Sequence, residues 1–60
     1  MKTSELLKIL KKNGCYFSRH GKRHDIWISP ITNKQIPVPR HKDEIKPGTL
    51  KSILEDAGIQ

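Results

Sequence analysis

The chain has 60 residues, with 12 Lys and Arg against 6 Asp and Glu, a formal net charge of +6, and 33% hydrophobic residues. A chain this short buries only about 60% of the surface it exposes when unfolded, so it supports one small core and excludes a cofactor domain or a deep enclosed pocket. The single cysteine, Cys15, excludes an internal disulfide, and no apolar run approaches the roughly 20 residues of a membrane span.

Thr3 or Ser4 is expected to cap a first helix over residues 4–13, with Glu5 in the turn where the helix dipole favours an anion. Leu6, Leu7, Ile9 and Leu10 recur at helical spacing opposite Lys8, Lys11 and Lys12, and Gly14 suits the left-handed stop. From Cys15 to His20 the pattern changes to alternation, with Tyr16 and Phe17 on opposite faces. His20-Gly21-Lys22-Arg23 is expected to turn. A second strand follows from His24 to Ile28, with His24, Ile26 and Ile28 on one face and Asp25 and Trp27 on the other. Pro30 and Asn33 mark the next segment, 29–34, as a hairpin loop.

The third strand, Gln35 to Val38, is short. Pro37 and Pro39 cannot donate to a ladder, so the strand is expected to lie at a sheet edge or to end quickly. Pro47 suits the first turn of a closing helix whose stripe is Leu50, Ile53, Leu54 and Ala57, with Gly58 at its stop. The order is α-β-β-β-α, an α+β fold of one domain, 1–60, with two helices on one face of a three-stranded antiparallel sheet. Met1 leads into a polar segment rather than a secretory leader, so a reduced, cytoplasmic setting without a membrane partner is the expectation. Cys15 is read as a small buried hydrophobe, His20 as turn surface, and Trp27 as core or interface anchor.

The charge is unevenly spread. Lys8, Lys11, Lys12, Arg19, Lys22 and Arg23 follow one another without an intervening acid, Arg40 and Lys42 form a second basic cluster, and four of the six acids lie from Asp43 onward. Such asymmetry suits a polyanion, whose condensed counterions are released on binding. It also suits a solvated face that keeps a small domain soluble. No metal and no cofactor are expected: His20 and His24 are four apart, a spacing that gathers ligands on a helix but here spans a turn. RNA carries its own nucleophile, the 2′-hydroxyl, so a protein that cleaves it needs only to move protons and steady charge. His24, beside Lys22-Arg23 at the start of a strand, has the residue types for both tasks. Asp25 alternates away from His24, so those two are not expected to form a dyad. The residues alone leave open a ribonuclease, a non-catalytic RNA-binding module, and a protein-interaction module whose basic face docks an acidic partner.

A resemblance narrows these. Ser4-Glu5-Leu6-Leu7-Lys8-Ile9-Leu10 with Asn13-Gly14, the stretch Arg19 to Trp27, and Val38-Pro39-Arg40-His41 followed by Glu44 to Leu54 and Ala57-Gly58-Ile59 together resemble the HicA family, the toxins of HicA–HicB toxin–antitoxin pairs, over nearly the whole chain. The family commonly carries Gly-Ser before its histidine, where this chain has Lys22-Arg23, and often Tyr where this chain has Trp27. The resemblance implies the fold of double-stranded-RNA-binding domains and ribosome-independent endoribonuclease activity on mRNA. It further implies catalysis at the position of His24 and silencing by a HicB-type antitoxin. On that reading Arg19, Lys22, Arg23, Arg40 and Lys42 bind RNA, His41 is structural or positions substrate, and the free form is a monomer.

Overall fold

Leu6 and Leu10 stand one helical turn apart, and both are completely buried by the helix that carries them, α1 (Thr3–Lys12). The computed structural model describes residues 1–40 and 43–59. After α1 come β1 (Tyr16–His20), β2 (His24–Ile28), β3 (Gln35–Pro39) and α2 (Pro47–Ala57), the expected α-β-β-β-α order. The start of α1 differs from expectation: the N-cap falls on Lys2, which makes no side-chain capping bond. Backbone takes over instead. The Thr3 N–H donates to the Asp43 carbonyl at 2.9 Å, and Lys2 forms a bridge with Glu44, so the segment before α2 satisfies the helix start that a side chain would otherwise cap.

Both helices end in the same way. Gly14 and Gly58 have φ of 84° and 74°, a region that costs a residue with Cβ. In α1 the Cys15 N–H reaches the Leu10 carbonyl at 2.9 Å and the Gly14 N–H that of Lys11 at 3.0 Å; Ile59 to Leu54 and Gly58 to Glu55 repeat the pattern at 2.9 and 3.1 Å. These paired bonds satisfy the last carbonyls and turn Cys15 and Ile59 back towards the core.

The sheet order is β1-β2-β3, antiparallel throughout. Trp27 stands between Phe17 and Ile36, and Asp25 between His20 and Val38, so these six residues share a face. Trp27, Ile36 and Val38 join Leu6, Leu10, Ile53 and Ala57 in the buried core, which sets both helices against this face. On α2 the fully covered stripe is Ile53 and Ala57, with Leu50 and Leu54 only partly buried on its flanks. Coverage is lopsided: β3 alternates exposed and buried residues, whereas all five residues of β1 are exposed.

One irregularity decides which way β1 side chains point. The register shifts between Phe17 and Arg19, so Phe17 is opposite Trp27 but Arg19 is opposite Ile26. Strict alternation would have put Phe17 and Arg19 on the same face. The bulge at Ser18 re-aims Arg19 to the helix-free face and brings His20 opposite Asp25.

Candidate functional site

The β1–β2 hairpin tip gathers most of the residues singled out above. The Gly21 N–H donates to the His24 carbonyl at 2.7 Å, and a Cβ at Gly21 would lie 2.7 Å from that same oxygen. Only glycine permits so close an approach without a shift. Lys22 and Arg23 are exposed at the tip between Gly21 and His24.

His24 opens β2, opposite Pro39, and its side chain is exposed. It shares the helix-free face with Ile26, and through the bulge with Arg19. Among the described residues its ring has no hydrogen-bond partner, so both nitrogens are open to a ligand. Backbone pairing on both sides of β2 fixes the position from which the ring projects.

Arg40 behaves differently from the other cations. Its Nη2 donates to the Gly21 carbonyl, its Nε lies 3.4 Å from Asp25 Oδ1, and its backbone N–H reaches the Arg23 carbonyl at 3.4 Å. The Nε is buried without an aligned hydrogen bond, so charge attraction rather than geometry holds it to Asp25. Arg40 thus ties the end of β3 to the hairpin tip, whereas Arg19, Lys22 and Arg23 remain exposed. Lys42 and His41 lie outside the described residues.

A cluster that the sequence reading did not anticipate sits on the other face of the same hairpin. His20 belongs to β1 rather than to the turn, and its Nδ1 lies 2.7 Å from Asp25 Oδ1. Asp25 therefore receives His20 on one side and Arg40 on the other. Phe17 lies beside His20 with ring centroids 4.8 Å apart. The signal was available in the spacing: a hairpin closed at Gly21 and His24 pairs His20 with Asp25, one step back from the tip.

Among the described residues, no group of three or more His, Cys, Asp or Glu is arranged to hold a metal ion. No described helix is long and apolar enough to cross a membrane. The family model described as the HicA toxin of bacterial toxin–antitoxin systems matches residues 3–59. No curated protein and no solved structure matches the chain.

Proposed function

Because the chain belongs to the HicA family, the toxins of bacterial toxin–antitoxin systems, we propose that it is a metal-independent, ribosome-independent endoribonuclease that cuts mRNA through His24. Family membership carries the role of toxin and a cognate antitoxin as partner. The single observation that supports the chemical reading is the setting of His24: an exposed imidazole on a paired strand, next to the exposed cations Lys22 and Arg23 and on one face with Arg19.

The reaction needs nothing that these side chains lack. The RNA 2′-hydroxyl attacks the adjacent phosphorus, and its proton passes to a base. The bond from phosphorus to the 5′-oxygen breaks, and that oxygen takes a proton from an acid. The products are a 2′,3′-cyclic phosphate and a free 5′-hydroxyl. His24 supplies one or both proton transfers, and the neighbouring cations lower the energy of the charge that gathers on the phosphorane oxygens. Arg19, Lys22 and Arg23, with Arg40 and Lys42, hold the phosphates, and no cofactor takes part. The free form is a monomer, and a HicB-type antitoxin silences it by covering His24 with an acidic surface.

A matched assay of wild type, His24→Ala and His41→Ala on RNA in EDTA tests the reading, with folding checked by circular dichroism. The wild type should leave cyclic phosphate ends, and His24→Ala should lose ~10²–10⁴-fold in cleavage while still binding RNA. Full cleavage by a folded His24→Ala protein would refute the mechanism. Loss confined to His41→Ala would move the chemistry there, and RNA that is bound but never cut would leave a non-catalytic RNA-binding module.

A further inference from the structure

Phe17 is an aromatic ring that the core leaves outside. It is 43% exposed, on a strand whose five residues are all exposed, yet it is not loose. Its ring meets Trp27 nearly edge-on, with centroids 6.2 Å apart and planes at 80°, and it meets His20 at 4.8 Å and 56°. Trp27 is anchored in the core. His20 is oriented by its bond to Asp25, which Arg40 holds in turn, while 66% of the His20 side chain stays open to solvent. Two rings are therefore held in place and still partly open to solvent. An exposed apolar ring on an uncovered edge strand invites aggregation unless something uses it.

The charge around the rings points to the occupant. Lys11 places its ammonium 6.0 Å from the centre of the Trp27 ring, which Phe17 also meets, and Lys12 shares the last turn of α1. Lys22 and Arg23 follow His20 at the tip. Among the described residues the acid on this face of the hairpin, Asp25, is already faced by Arg40 and His20. Exposed aromatic rings on a surface that also carries cations are what a single-stranded nucleic acid meets on a stacking platform: phosphates to the cations, bases to the rings.

We propose that Phe17 and His20 form a stacking subsite for a base of single-stranded RNA, next to the nucleotide whose phosphate reaches His24. The proposal rests on the ribonuclease reading above. His24 and the ring pair lie on opposite faces of the hairpin, separated by the tip. An RNA strand crossing the tip presents one phosphate to His24 and a neighbouring base to Phe17. Stacking reads no donor or acceptor pattern, so the subsite accepts every base and favours purines for their larger face.

The test uses the His24→Ala protein, which leaves RNA intact, and short single-stranded RNAs that carry either a purine or an abasic residue at each position in turn. Phe17→Ala, Phe17→Tyr and His20→Ala are compared in this background over a range of salt. Phe17→Ala should bind the purine RNA roughly 5- to 150-fold more weakly, the equivalent of losing one stacked base. Its salt slope should match the parent's, because no phosphate contact is lost. Phe17→Tyr should bind like the parent, His20→Ala should show a smaller loss, and an abasic residue at one position should abolish the difference between parent and Phe17→Ala. A folded Phe17→Ala protein that binds as tightly as the parent overturns the subsite. So does a loss that persists at every abasic position or comes with a shallower salt slope. Retained RNA affinity with lost binding of the antitoxin would instead make the rings a protein contact. If wild type neither binds nor cleaves RNA, the ribonuclease reading itself fails; if it cleaves and Phe17→Ala is unaffected, only the subsite does.

Discussion

β1 and β3 are the two edges of one sheet, and they are used in opposite ways. On β3, Ile36 and Val38 are 0% and 2% exposed under the helices, while Pro37 and Pro39 remove backbone donors from the alternate positions. Pairing with β2 continues from Gln35 to Pro39 without those donors, so the prolines close the outer edge at little cost to the ladder. On β1 nothing is buried: Tyr16 and Phe17 are 54% and 43% exposed, and Arg19 and the Asp25-bonded His20 are exposed as well. A domain with so little material cannot cover a whole sheet. It spends its apolar side chains on the two helices, β2 and β3 and leaves the β1 side, with its cations and rings, exposed. Buried apolar side chains and exposed rings and cations are thus segregated across the sheet.

The largest expected effect tests that segregation directly. Ile36→Ala removes a side chain that is completely buried between sheet and helices and should cost about 2–5 kcal/mol. That is a large fraction of the stability such a small domain can have. Tyr16→Ala, on the opposite edge, should change stability by no more than about 0.5 kcal/mol. Paired denaturant titrations decide it. Comparable losses at the two sites would mean that β1 carries as much of the fold as β3.

The second effect is smaller and concerns how the covered side is fastened. Ser29 is 0% exposed, and its hydroxyl donates to the Ala57 carbonyl at 2.6 Å while accepting the Ile31 N–H at 3.2 Å. Thr32 donates to the Asp56 carbonyl at 2.5 Å from the same loop. The β2–β3 loop thereby satisfies carbonyls at the end of α2 and pins that helix to the sheet. Ser29→Ala leaves the Ala57 carbonyl without this donor and should lower stability by about 1–3 kcal/mol. A melting temperature indistinguishable from wild type would show that the loop is not a fastener.

The difference between the two halves also explains what could be read from the residues alone. The covered side obeys simple periodicity. Leu6 with Leu10 and Ile53 with Ala57 mark helical stripes, Ile36 and Val38 mark alternation, and Gly14 and Gly58 mark stops, so the α-β-β-β-α order is legible there. The β1 side departs from periodicity at one residue. The bulge at Ser18 reverses the faces of Arg19 and His20, and no pattern of hydrophobicity records it because β1 buries nothing. The His20–Asp25 pair could be reached only through the hairpin spacing, since it depends on the tip closing at Gly21 rather than on any apolar pattern. The side-chain cap expected from Thr3 or Ser4 failed on a long-range cause: the segment before α2 supplies a carbonyl from 40 residues away in sequence, from Asp43 to Thr3.

The smallest expected effect lies on the boundary between the halves, at Asp25. Its carboxylate holds His20 at 2.7 Å and draws Arg40 to 3.4 Å, and it is 25% exposed. Partly solvated ion pairs of this kind contribute only about 0–1 kcal/mol. Asp25→Asn keeps the shape and an oxygen that can still accept from His20, so the loss should stay within that range. The same change removes a negative charge from a surface proposed to meet phosphates. RNA affinity should therefore rise, most clearly at low salt where screening is weak. Stability and binding then move in opposite directions from one substitution, as a segregated design requires. Chemical denaturation and RNA titration of the same preparation measure both. A stability loss of several kcal/mol would make Asp25 part of the covered half, and an RNA affinity that falls would place the negative charge among the groups that organise the binding surface.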